Sequence, residues 1–133
     1  SDVYKRQIKA FENPLTQSQL NKARAAVRDV RMSEQVEEYL VQIILATRNS
    51  EKYGGNLSDW LEFGASPRAT IALDICSKSL AWLDNRNFVT PDDIRSIAHD
   101  VLRHRLILSF EAEANGISSD QVVDELLKVV PSA

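Results

Sequence analysis

The sequence predicts an all-α fold, a small bundle of four to five helices. Apolar residues recur at the spacing i, i+3, i+4, i+7 in five separate stretches, which is the pattern of amphipathic helices. Each stretch begins at a Ser or Thr, whose hydroxyl can accept from an unpaired amide of the first turn. The chain has no strand-rich region and no internal repeat. We therefore expect one helical domain over residues 14–131.

Residues 1–13 precede this domain, and we expect them to be a disordered tag or linker. Ser1–Gln7 shows no hydrophobic periodicity and the chain has no initiator Met, so we interpret this segment as an added tag or a sequencing scar. The alternative is a native linker from an upstream domain, which is the interpretation we prefer for Ile8–Pro14.

The first two predicted helices begin at Thr16 and Ser33. Thr16 and Gln19 have the spacing of a capping box, and the second helix is expected to end near Arg48. The predicted inward faces are Leu20, Ala23, Val27 and Val30, then Val36, Tyr39, Leu40, Ile43 and Ile44. The rest of the first helix is basic, which we interpret as solvated surface, with contact to a partner protein as the alternative.

A loop is expected over Asn49–Phe63, where the cluster Gly54-Gly55-Asn56 marks a turn. Its large apolar residues are expected to cover the core or to pack on another domain. These residues are Leu57, Trp60, Leu61 and Phe63. Trp60 fits an interface, where large aromatic residues are enriched, and it fits plain core packing at least as well.

The third predicted helix runs from Pro67 to about Asn85 and carries two apolar stripes. The first is Ala69, Ala72, Leu73, Cys76, Leu80 and Leu83; the second is Ile71, Ile75 and Trp82. A helix that is apolar on two sides is expected at the centre of a bundle.

The fourth predicted helix starts at Thr90–Asp93, an N-cap followed by a proline and two acids. It is expected to face inward through Ile94, Ile97, Ala98, Val101 and Leu102. Alternating apolar residues then predict one short extended segment near Leu106–Phe110. The fifth helix begins at Ser118, which has capping-box spacing to Gln121, and ends at Pro131.

Composition and charge exclude several classes of function. The chain is 44% hydrophobic and 26% charged, with a net charge of −3 and no basic tract, so nucleic acid is not an expected partner. No apolar run is long enough to span a membrane. Cys76 is the one cysteine, is expected to be buried, and fits a reducing, cytoplasmic setting. His99 and His104 lack the further ligands that a metal site needs.

The candidate functional residues lie in the turn Phe63–Thr70. Ser66 is placed to cap the helix, and Pro67 follows at the first helical position, where its missing N–H costs nothing. Gly64 permits an approach of the backbone that a β-carbon would resist. Arg68 has the wrong charge for the first turn of a helix. Unpaired amides, the positive dipole end and a guanidinium would together attract an anion there.

Three stretches, in matching order and spacing, resemble MoxR-type AAA+ ATPases. Gly64-Ala65-Ser66-Pro67-Arg68-Ala69 is similar to the sensor-2 motif of their C-terminal helical lid. Asn87–Ile94 is similar to their YVTPDDI segment, and Val101–Leu106 to their VLRHRL segment. Any one motif is weak evidence, whereas three in register are strong. The resemblance covers the chain from about Asn13 to Val130.

The resemblance implies a lid in which Arg68 contacts the γ-phosphate of ATP, with Gly64, Ala65, Ser66 and Pro67 shaping the turn. It implies ATP and Mg²⁺ as cofactors of the full-length protein, with none expected in the isolated chain. The implied partners are the N-terminal AAA+ large domain, neighbouring subunits of a ring, and von Willebrand factor A-domain proteins. It also implies a chaperone-like parent ATPase, with Arg68 acting on its own subunit or on the next.

The chain alone is not expected to hydrolyse ATP. It has no G-x-x-x-x-G-K-[ST] loop and no apolar strand ending in paired acids, so it cannot cradle the triphosphate or hold its magnesium. The alternative function is an independent helical module that binds another protein through the first helix and the Trp60 loop. A small DNA-binding domain is disfavoured by the acidic balance.

Overall fold

The computed structural model describes residues 12–132, so the tag or linker prediction for residues 1–11 lies outside the described residues. Five longer helices form a bundle, as predicted, together with two short helices and a small sheet. In chain order the elements are α1 Gln17–Arg28, α2 Glu34–Arg48, a 3₁₀ turn Ser50–Lys52, α3 Leu57–Trp60, β1 Leu61–Phe63, α4 Pro67–Leu83, α5 Pro91–Leu102, β2 Ile107–Leu108, α6 Phe110–Ala114 and α7 Ser119–Val129.

Side-chain caps begin four of the longer helices at the predicted residues. The Thr16, Ser33, Thr90 and Ser118 hydroxyls each accept from the amide three residues later. Three of these helices also have the reciprocal bond of a capping box, which satisfies a second first-turn donor. Local sequence therefore sets where these helices start.

Helix α4 lies at the centre of the bundle and packs against α1, α2 and α5. Its buried face is made of Ala69, Leu73, Ser77 and Ala81, and these mostly small residues allow the neighbouring helices to approach closely. The central position predicted for this helix is correct, but its second apolar stripe is not covered by a neighbour, because Ile71 is 66% exposed and Ile75 42% exposed. Leu83, assigned to the first stripe, is 72% exposed. Cys76 is half-buried, not buried, because it lies at the margin of the buried face.

The segment predicted as a loop contains secondary structure. After the 3₁₀ turn, α3 and β1 fold back on the bundle, with Leu57 fully buried and Leu61 at the core. Trp60 packs partly buried against the core, whereas Phe63 is 61% exposed. Sequence periodicity missed this segment because its elements are three to four residues long.

Strand β1 pairs antiparallel with β2. Leu61 lies opposite Leu108 and Phe63 opposite Ile107, and the register is irregular between these two pairs. The predicted extended segment is therefore correct for Ile107–Leu108, while Phe110 instead begins α6. The Ser109 amide donates to the Trp60 carbonyl at 2.8 Å and closes the ladder.

Helix α7 completes the bundle by packing on α2 and α5. Its buried face is made of Val122, Val123, Leu126 and Leu127. Between residues 12 and 132 no helix is both long and apolar enough to cross a bilayer. No group of three metal-ligating side chains occurs over the same residues, and His99 instead lies 2.6 Å from the Asp124 carboxylate.

Candidate functional site

The turn before α4 leads directly into a helix that starts at Pro67, as predicted. Ser66 has the extended backbone of an N-cap, with φ −76° and ψ 167°. The predicted side-chain cap is wrong, because the Ser66 hydroxyl makes no bond to a first-turn amide. The Ala69 amide donates to the Ser66 carbonyl at 2.9 Å, so the backbone satisfies a donor that the hydroxyl was expected to take.

Thr47, near the end of α2, holds this turn in place. Its side-chain oxygen accepts from the Ala65 amide at 2.9 Å and donates to the Ile44 carbonyl at 2.7 Å. Thr47 is only 3% exposed and Ala65 only 1%, so the bond lies in the protein interior. Sequence reasoning missed Thr47, because a threonine near a helix end commonly bonds only its own helix.

Gly64 lies against the same residue. A β-carbon at position 64 would overlap the backbone carbonyl of Thr47 and crowd the amide of Arg48. These neighbours are backbone atoms and cannot rotate away, so glycine is required by space. Thr47 and Gly64 therefore fix the path of the chain into α4.

Arg68 is exposed in the first turn of α4. No hydrogen bond or ion pair joins its side chain to any residue in the range 12–132. The structure thus places the predicted cation on the surface at the start of α4, on a turn that Thr47 and Gly64 fix. Such a guanidinium keeps all of its donors for an anion outside this domain.

A groove with a volume of about 730 Å³ begins at this arginine. Ile71, Ala72, Ile75 and Cys76 form its apolar wall, and Arg105 contributes a second guanidinium. A second cavity, of about 600 Å³, is lined by the turn from Gly64 to Pro67 and by Thr47 and Arg48. The candidate turn therefore separates two concave surfaces.

An ion pair between a half-buried arginine and a buried carboxylate links the other end of α4 to α5. Two guanidinium nitrogens of Arg86 donate to the two carboxylate oxygens of Asp93, at 2.7 and 2.6 Å. Burial alone raises the pKa of Asp93, but hydrogen bonds from Arg86 and Thr90 outweigh it and hold that pKa below its ordinary value. The Asp93 contact raises the pKa of Arg86 in turn. Sequence reasoning took Asp93 only as a first-turn acid and missed this pair.

The profile of the AAA lid domain family matches residues 58–126, a range that includes the candidate turn, β1, β2 and helices α4 to α6. The chain is 40% identical over 94 residues to Chaperone MoxR1 of Mycobacterium tuberculosis. It is also 35% identical over 104 residues to the protein YeaC of Bacillus subtilis. These matches cover 70% and 78% of this chain but 25% and 30% of the relatives, so the chain spans less than a third of their length.

A solved structure has the same fold. The crystal structure of a protein from Cytophaga hutchinsonii, provisionally assigned as an ATPase, matches with a TM-score of 0.82 at 36% identity. The match covers 87% of this chain and 36% of the other.

Proposed function

This chain belongs to the AAA lid domain family, as a lid of the MoxR type, and from that premise we propose that Arg68 is its sensor-2 arginine. In this proposal the lid closes over ATP held by the large domain of a longer protein. Arg68 then reaches the γ-phosphate and links the presence of that phosphate to the position of the lid.

The observation that carries the proposal is an exposed, unpaired guanidinium on a fixed turn. Among residues 12–132, Arg86 and Arg103 both pair with carboxylates, whereas Arg68 does not. An arginine in a first turn opposes the helix dipole, so helix stability does not account for it. Contact with an anion that another domain holds would account for an arginine at this position.

The residues of this chain fit the phosphate end of ATP and do not by themselves hold Mg²⁺. Arg68 would stabilise the negative charge that spreads over the transferred phosphoryl oxygens. Mg²⁺ and the phosphate loop would belong to the large domain. Loss of the γ-phosphate would remove the contact and favour lid opening, as in other hinge-type switches.

The proposal extends to partners and location. The large domain and neighbouring subunits of a ring would contact the lid, and Arg68 would act within its own subunit or across to the next. One relative is named a chaperone, so we infer a chaperone-like parent ATPase, with von Willebrand factor A-domain proteins as further candidate partners. We infer a cytoplasmic location, which fits an enzyme that hydrolyses ATP.

The test joins this chain to its large domain and compares Arg68→Ala with the unchanged protein. We expect turnover to fall at least about tenfold, with a smaller loss of ATP binding, because the contact is strongest in the transition state. Lys128→Ala, which removes an exposed cation on α7, is the control and should leave turnover unchanged. Unchanged turnover in Arg68→Ala would remove the sensor role. The isolated chain should show no hydrolysis in the same assay.

A second candidate function is an independent helical interaction module. It is favoured by an apolar groove of about 540 Å³ between α1 and α4, where Leu20, Val27, Ile75 and Trp82 face one another. The upstream reading frame distinguishes the two functions. A phosphate loop within a few hundred codons supports the lid, and a start codon near Ser1 supports the independent module.

A further inference from the structure

The two arginines of Arg103-His104-Arg105 have different surroundings. Arg103 donates to Asp120 at 2.7 Å and to Asp100 at 3.3 Å, so its charge is neutralised within the domain. Arg105 is exposed and makes no carboxylate contact within residues 12–132. Its Nη1 donates to the carbonyl of Val101, at the end of α5, at 2.8 Å.

Arg105 lies on the same groove as Arg68. The groove is lined by two guanidinium-bearing side chains and no carboxylate, in a chain whose net charge is −3. Its wall of Ile71, Ala72, Ile75 and Cys76 is apolar, and an apolar wall strengthens the interaction of a nearby cation with an anion. The groove is therefore a local positive site on an otherwise acidic domain.

We propose that Arg105 is a second phosphate-binding arginine, which contacts the γ-phosphate of ATP together with Arg68. The inference rests on the proposed function, because that phosphate is the one that the large domain would hold. The bond to Val101 orients the Arg105 guanidinium and leaves its remaining N–H donors for the ligand. Two guanidinium groups suit a terminal phosphate, which offers several charged oxygens.

The test uses the full-length ATPase with Arg105→Gln, Arg105→Lys and Arg68→Ala. Arg103→Gln is the control from the same motif. Calorimetric titration measures the affinity for a non-hydrolysable ATP analogue and for ADP, and thermal unfolding monitors the fold. We expect Arg105→Gln to weaken analogue binding about tenfold or more, and ADP binding much less. Arg105→Lys should have an affinity for the analogue between those of the original protein and Arg105→Gln, because lysine keeps the charge but lacks the planar guanidinium. Arg103→Gln should leave the ratio of the two affinities unchanged.

The outcomes separate this inference from the proposed function. If Arg105→Gln weakened the binding of the ATP analogue and of ADP equally, or weakened neither, Arg105 would not contact the γ-phosphate, and the inference would be overturned. Normal turnover in Arg68→Ala would overturn the proposed function and this inference together. Impaired turnover in Arg68→Ala with an unchanged affinity ratio in Arg105→Gln would overturn this inference alone. If Arg105→Gln does not fold, Arg105→Lys serves as the test. An unchanged ratio of the affinities for the ATP analogue and ADP in that variant would overturn the inference.

Discussion

Arg68 owes its position to residues of another helix. The Thr47 hydroxyl holds the Ala65 amide, and the Thr47 carbonyl leaves no room for a side chain at position 64. Both contacts are made with atoms near the C-terminus of α2, seventeen or more residues earlier in the chain. The C-terminal end of α2 therefore supports the turn that leads into α4 and so positions Arg68.

Replacing Thr47 should show how much this support contributes. Thr47→Val keeps the shape but leaves the buried Ala65 amide without a partner, which costs about 1–3 kcal/mol. We expect urea unfolding of the isolated chain to report a loss of that size, and Thr47→Ser, which keeps the hydroxyl, to report less. A valine variant as stable as the original chain would show that the bond contributes nothing.

At the scale of elements, the helices begin in two different ways. In α7 the Ser118 hydroxyl accepts from the Gln121 amide, and the Gln121 side chain accepts from the Ser118 amide. In α4 the Ser66 hydroxyl makes no such bond. The same residue type at the same position therefore has different effects on stability, and only the structure distinguishes them.

Alanine substitutions at these two caps make a matched pair. Ser118→Ala should lower the free energy of unfolding by about 1 kcal/mol, because the Gln121 amide loses the hydroxyl that accepts its hydrogen bond. Ser66→Ala should change it by less than about 0.5 kcal/mol, since no bond is lost. Chemical denaturation of both variants checks the difference, and equal losses would contradict the assignment of the caps.

At the scale of the whole molecule, acid stability depends on the pair that joins the end of α4 to the start of α5. The pKa of Asp93 is lower in the folded chain than in the unfolded chain. Its contribution to stability is therefore complete above the unfolded pKa, about 3.9, and is lost as the pH falls through the lower, folded pKa.

Asp93→Asn should accordingly destabilise the chain at pH 7. The difference in the free energy of unfolding between the variant and the original chain should become smaller as the pH falls below about 4. Urea unfolding at pH 7 and pH 3 measures this difference. Asp120→Asn is the control, because its half-exposed pair with Arg103 contributes little. A difference that stays the same at both pH values would show that Asp93 ionisation does not stabilise the fold.

The five longer helices, four of their caps, the family resemblance and the choice of Arg68 as a candidate could all be predicted from the sequence. These depend on side chains a few residues apart, whose periodicity and capping chemistry are visible in the chain. The capping hydroxyl predicted at Ser66 was wrong, and the second apolar stripe of α4 is exposed although the helix is central.

The buried face of α4, the fold of the segment after α2 and the support of the turn became visible only in the folded chain, because they depend on packing between elements. The tertiary structure also brought Arg86 to Asp93 and Arg105 onto the groove of Arg68. The physical reason is that these arrangements join residues from different elements. Helical spacing shows that a face is apolar, but burial depends on which neighbour packs against that face.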